Sequence, residues 1–283
     1  MSVRSKNKDR PWERKKRASL DASIAAYAAE HSNSRADLDP ELEAASLETW
    51  LDRADAASYT VKKILRQLCA LSDPEAVSSM ARFGIKADKA FGVSVPALRK
   101  LARSIGKDHT LAQDLWDSGL HEARELATMI ADPKQVTEDS MERWVKDIDS
   151  WDVCDHCCGN LWDKIPFAYR KAREWSRRPE EFVKRAAFSL MAALAVHDKA
   201  SRDEAFISFL PIIKRESIDE RNFVKKAVNW ALRQIGKRNR NLNRQAIKTA
   251  REIQKLDSKP ARWIAADALR ELTNEKVQSR IKD

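Results

Sequence analysis

From Glu41 onward the chain is one helix-period stretch after another, and no segment alternates apolar and polar residues well enough to be read as a strand. That pattern excludes sheet-based architectures and leaves folds in which helices pack on helices. Ala44, Leu47 and Leu51 fall at helical spacing, as do Val61, Ile64, Leu65 and Leu68. Asp73-Pro74 opens a short helix that runs to Gly84. Ser94, with Pro96 in the first turn, opens another that stops at Gly106. Further helices are predicted at 108–117, 121–131, 137–148, 151–163, 166–177, 179–196, 201–214, 219–236, 241–256 and 260–272. Only six glycines and nine prolines occur in 283 residues, so few of these runs are interrupted.

About a dozen helices joined by short loops suit an all-α solenoid of stacked, degenerate helix pairs, whose concave basic face could cradle a rod such as a duplex. No strict sequence period is visible. A compact helical bundle is the other arrangement the pattern allows. Residues 1–40 read as a basic extension (MSVRSKNKDRPWERKKR at its start), an alanine-rich segment and a polar linker, with the helical-repeat domain at 41–283.

Charge narrows the partners. The formal net charge is +10, which points to polyanions, nucleic acid first among them. Between Lys214 and Lys255 there are thirteen Lys or Arg against four Asp or Glu, so the excess is a localised footprint. No apolar run reaches transmembrane length, and no membrane partner is expected. No secretory signal is visible, so a reducing compartment is expected: cytoplasmic and nucleoid-associated in a bacterium, nuclear in a eukaryote. P-loop, Gly-rich dinucleotide, H-E-x-x-H and G-x-S-x-G motifs are absent.

Four groups of residues could carry chemistry. Trp151 and Asp155 lie four apart at the start of a helix capped by Ser150, which puts an indole and a carboxylate on one face. Such a pair suits a cationic guest, although a core Trp beside a solvated Asp has the same spacing. In FVKKAVNWALRQIGK, Val224, Val228, Ala231 and Ile235 make the apolar stripe. Lys226, Trp230, Arg233 and Lys237 share another face, suited to a phosphodiester chain or to an indole covered by lysine stems. Lys184 and Arg185 occur in EEFVKRAAFSLM. Arg185 stands off its helix's apolar stripe, free to meet a phosphate or to pair with a carboxylate such as Asp155. The fourth group, Cys154-Asp155-His156-Cys157-Cys158, contains a Cys-x-x-Cys. Structural zinc needs a second ligand pair, for which only distant Cys69 or His121 is available, so buried thiols and no metal are expected.

SWDVCD, EEFVKRAAFSLM, FVKKAVNWALRQIGK and the loop-helix FGVSVPALRKLAR together resemble the HEAT-like-repeat DNA alkylation repair proteins, the AlkD-type alkylpurine DNA glycosylases, over roughly residues 58–272. The resemblance implies a monofunctional glycosylase, without cofactor and acting as a monomer on duplex DNA containing alkylated bases. Trp151 and Trp230 would pack against the damaged nucleotide's deoxyribose. Asp155 would be the catalytic carboxylate and Arg185 a phosphate-side arginine, with Lys184, Lys226, Arg233 and Lys237 as further DNA contacts. A cationic N3- or N7-alkylpurine leaves without a general acid, and a carboxylate then stabilises the oxocarbenium-like sugar and orients water. The alternative is a non-catalytic helical-repeat protein that binds damaged, bent or branched DNA. A protein scaffold for acidic partners is the remaining possibility.

Overall fold

A computed structural model of the protein describes residues 59–281. The basic tail, the alanine-rich segment, the linker and the 44–51 pattern lie outside the described residues, as does the expected division after residue 40. The chain divides into two compact units, Met1–Gln67 and Leu68–Asp283. In the first, the described residues include the start of helix α1 (Val61–Ala70), which crosses the division.

The second unit is all helix, with no strand among the described residues. Its elements are α2 (Pro74–Met80), α3 (Val95–Ile105), α4 (His109–Asp117), α5 (His121–Ile130), α6 (Glu138–Asp147), α7 (Trp151–His156), α8 (Ala168–Trp175) and α9 (Glu181–His197). They continue with α10 (Asp203–Ile207), α11 (Leu210–Glu216), α12 (Asn222–Gly236), α13 (Arg240–Gln254), α14 (Lys259–Leu272) and α15 (Glu275–Gln278). No described helix is long and apolar enough to cross a membrane.

Side chains set many of the boundaries. The Asp73 carboxylate accepts the N–H groups of Glu75 and Ala76 ahead of Pro74, and Asp108, Asn239 and Ser258 cap α4, α13 and α14 in the same way. Thr137 and Ser140 cap α6 reciprocally. Two expectations need correction. The run at 201–214 is two helices, because Pro211 lacks the N–H a continuous helix needs and its ring meets the preceding turn. The run at 151–163 is α-helical only to His156 and then widens into a π turn over Cys157–Leu161. The wider turn keeps Cys157, Cys158, Leu161 and Trp162 all on the buried side.

Helices α3, α5, α7, α9, α12 and α14 form one row in which each packs on the next. Helices α4, α8 and α13 pack onto that row as a second layer. This is a stack of helix pairs, an all-α solenoid. Its period is legible in the side-chain bonds that cross from one repeat to the next: Trp116 to Asp147 spans 31 residues, Lys171 to Glu142 spans 29, Arg185 to Asp155 spans 30 and Asn229 to Asp267 spans 38. Aromatic rings fill the layers. Trp116 and Trp144 stack in parallel with centroids 4.1 Å apart, and their Nε1 groups donate to Asp147 and Gln113. Both rings are fully buried, so truncating either costs about 3–5 kcal/mol.

Candidate functional site

Three consecutive helices of the first row, α7, α9 and α12, bring the sequence-predicted residues into register. Asp155 stands on α7 one turn after Trp151. Arg185, on the second turn of α9, is buried and donates to both Asp155 carboxylate oxygens: Nη2 to Oδ2 at 2.7 Å and Nε to Oδ1 at 3.2 Å. Ser189, one turn further along α9 and fully buried, donates to Asp155 Oδ1 at 2.7 Å. The same guanidinium lies 5.8 Å from the centre of the Trp151 ring and donates through Nη1 to the backbone carbonyl of Phe223 on α12. One arginine therefore ties together a carboxylate, an indole and the next repeat. Burial disfavours its charge, but the field of Asp155 outweighs that and raises its pKa. The Asp155 side chain keeps 19% of its surface open to solvent, so the clamp orients the carboxylate without sealing it.

A fourth segment closes on this cluster. The Trp151 indole N–H donates to the carbonyl of Phe83 at 3.0 Å. Gly84 follows with a left-handed φ of 73°, and the Phe223 ring sits directly on it: a Cβ there would come within 2.8 Å of the ring. Only glycine combines that backbone with that contact. Phe223 also stacks on Phe182, with centroids 5.6 Å apart.

Trp230 lies two turns beyond Phe223 on α12, about 10 Å along the axis and on the same side of the helix. It is half-buried, and no described hydrogen bond or ring contact joins it to Trp151, Asp155 or Arg185. Lys226 is exposed and makes no ion pair among the described residues. The other three cations are engaged elsewhere. Lys184 pairs with Glu216 at 2.6 Å and Asp219 at 3.6 Å while mostly buried. Lys237 pairs with Glu271 at 2.6 Å, and Arg233 with Glu271 and Asp267 of α14. The expected row of DNA-facing cations on α12 is thus largely a seam between repeats. Charges three and four apart on a helix serve an adjacent helix as readily as a ligand, which sequence spacing does not distinguish.

The thiols behave as the sequence suggests. Cys154, Cys157 and Cys158 are free and fully buried, and burial pushes the last two thiols well above their usual pKa. Ser189, Phe223 and Gly84 escaped the sequence reading. Ser189 sits one turn after Arg185, a spacing that could have marked it as a second donor to the same carboxylate.

Fold and site together define an all-α helical-repeat protein with an anchored carboxylate beside an indole. Residues 64–272 match the family described as DNA alkylation repair enzyme, and the chain belongs to that family. No curated protein matches it. Among solved structures it is similar to one described as a new family of proteins related to the HEAT-like repeat DNA glycosylases with affinity for branched DNA structures. That match is 22% identical, covers 79% of this chain and 97% of the other, has a TM-score of 0.65, and shows the HEAT-like repeat fold. A designed armadillo repeat protein solved with a (KR)4 peptide is 15% identical over 65% of this chain and 88% of its own, at a TM-score of 0.29, too low to carry an argument.

Proposed function

We propose that the protein is a monofunctional DNA glycosylase that hydrolyses the N-glycosidic bond of cationic N3- or N7-alkylated purines in duplex DNA. The observation that carries this reading is the Arg185–Ser189 clamp, which holds the Asp155 carboxylate at the solvent edge beside the Trp151 ring. An alkylated purine already bears the charge that makes it a leaving group, so the protein needs no general acid. What remains is to stabilise positive charge developing on the sugar and to place a water, and one fixed carboxylate does both. Trp151 supplies a flat apolar wall for the deoxyribose, and Trp230 a second surface further along α12. Lys226 and the net charge of +10 supply attraction to the phosphate backbone.

The test is base release. Duplex carrying 7-methylguanine is incubated with excess protein, and free base is quantified against a spontaneous control. Release above control supports the reading; tight binding without release on any cationic alkylpurine overturns it. In that case the second reading holds, a non-catalytic repeat protein that binds damaged, bent or branched DNA; the similar solved structure is described as having affinity for branched DNA structures. It is checked by comparing affinity for a four-way junction with that for linear duplex at equal salt.

A further inference from the structure

Next to the candidate site, on its far side along the first row, a second polar cluster is buried between α5 and α7. Each helix contributes an i, i+4 pair of metal-capable residues: His121 and Glu125 from α5, Asp152 and His156 from α7. His121 Nε2 lies 3.0 Å from Asp152 Oδ2 and 3.9 Å from Glu125 Oε1. One donor atom each from His121, Glu125 and Asp152 fall within 4.8 Å of one another. Metal–ligand bonds of ~2.0–2.1 Å in a tetrahedron set neighbouring ligand atoms ~3.3 Å apart, which the two measured separations bracket.

We propose that His121, Glu125 and Asp152 form a site for a divalent transition-metal ion of the zinc class, which clips α5 to α7.

Two observations besides the spacing point to a cation site. Helix α5 carries two buried glutamates with opposite fates. Glu122 accepts the backbone N–H groups of Phe91, Gly92 and Val93. Glu125 is only 4% exposed, its carboxylate accepts no hydrogen bond among the described residues, and the groups paired with it are the imidazoles of His121 and His156, 3.9 and 3.2 Å from Oε1. His156 Nδ1 is buried and stands at ion-pair distance, 3.2 Å, from Glu125 Oε1 without hydrogen-bond geometry, and it is the nearest further donor to complete the ion's shell. Asp152 is prepared for the role: Ser150 and the Val153 N–H occupy its Oδ1, leaving Oδ2 directed at His121. His121 also lines a cavity of about 300 Å³ whose charged wall mixes Asp88, Asp147 and Asp149 with Lys86, Lys89 and Arg124. Imidazole with carboxylates is a donor set for Zn²⁺, Co²⁺, Ni²⁺ or Fe²⁺ rather than for a thiolate-seeking ion. The ion's place in the machine is to fix the helix that carries Trp151 and Asp155. The inference stands whether or not the protein releases bases.

The test uses the full chain, stripped with chelator and titrated with Co²⁺, then with Zn²⁺. One equivalent of Co²⁺ should bind with visible d–d absorption and no thiolate-to-cobalt charge-transfer band, and Zn²⁺ should displace it. Zn²⁺ should also raise the melting temperature of the stripped protein. Glu125→Gln keeps the side-chain shape and removes only the negative charge, so it should fold; circular dichroism checks this, and His121→Asn is the second variant. Each should weaken Co²⁺ binding about a hundredfold or more, at least as much as losing a ligand's hydrogen-bond partner costs. No stoichiometric binding by the stripped wild-type chain overturns the proposal. So does binding that Glu125→Gln and His121→Asn leave unchanged, or a charge-transfer band that disappears on Cys158→Ala.

Discussion

Asp155→Asn is the most informative single substitution, because the clamp makes its effect calculable. A carboxylate ~4 Å from the positive sugar at an effective dielectric of ~20 attracts it by about 4 kcal/mol. With the sugar placed on the solvent-open side of Asp155, away from its bonds to Arg185, the guanidinium would lie ~7 Å from it and repel it by about 2.4 kcal/mol on the same scale. The neutral amide removes the attraction and leaves the repulsion, so single-turnover base release should fall roughly a thousandfold. Removing both charges in Asp155→Asn/Arg185→Gln loses only the net ~1.7 kcal/mol, so the double variant should recover to within roughly twentyfold of wild type. Stability should follow the same logic. Arg185 is buried and loses its counter-charge, so Asp155→Asn should unfold about 2–3 kcal/mol more readily, below the usual cost of breaking a fully buried pair because Asp155 is partly solvated. Rates come from single-turnover release on 7-methylguanine duplex and stability from urea melts at one salt concentration. Asp155→Asn releasing base at the wild-type rate, or the second substitution slowing release further, would refute the electrostatic argument.

Other predictions follow from particular contacts. Gly236→Ala should destabilise by about 1–3 kcal/mol in urea melts, because a Cβ there meets Leu272 at 2.7 Å and Ala246 at 2.9 Å, inside the α12–α13–α14 packing. Lys226→Ala should weaken duplex binding evenly across sequences and reduce the slope of log K against log salt by about one, whereas Lys184→Ala should leave that slope unchanged because its charge is spent on Glu216. Asp198 closes the turn after α9. Burial works against its charge, but bonds from Ser201, Tyr169 and Ala200 prevail and hold its pKa at about 2. A carboxyl held below its unfolded value stabilises above pH ~4, and that contribution disappears as pH falls through about 2. Asp198→Asn should therefore cost about 1 kcal/mol at pH 7, after allowance for its solvent exposure, and nothing measurable near pH 1.5.

Much of the fold was legible because local chemistry writes helix ends. Asp73-Pro74, Ser94 with Pro96, and Gly106 mark boundaries that the structure places within a residue or two. Pro211 was equally visible and should have split the 201–214 run. The π turn had no such signal, since its width is set by which side chains the neighbouring helix buries. The repeat was hidden for a related reason. Its period of about thirty residues is kept by pairs such as Arg185–Asp155 and Lys184–Glu216, whose chemical types differ from one repeat to the next. The site was half legible. Trp151 and Asp155 share one helix and so one face, whereas the choice of Arg185 between a phosphate and Asp155 depended on how adjacent repeats dock. His121-x-x-x-Glu125 and Asp152-x-x-x-His156 are each an ordinary helical spacing on their own, and only their juxtaposition makes a cluster.

Most polar ties in this stack reach no further than the adjoining repeat, so each repeat can form or fray with its neighbour alone. The Phe83 carbonyl breaks that rule by holding Trp151 across 68 residues, and the Phe223 ring resting on Gly84 reaches further still. These contacts work as a latch. They complete themselves only once the intervening layers stand, so they report on the assembly of the whole stack rather than of any one repeat.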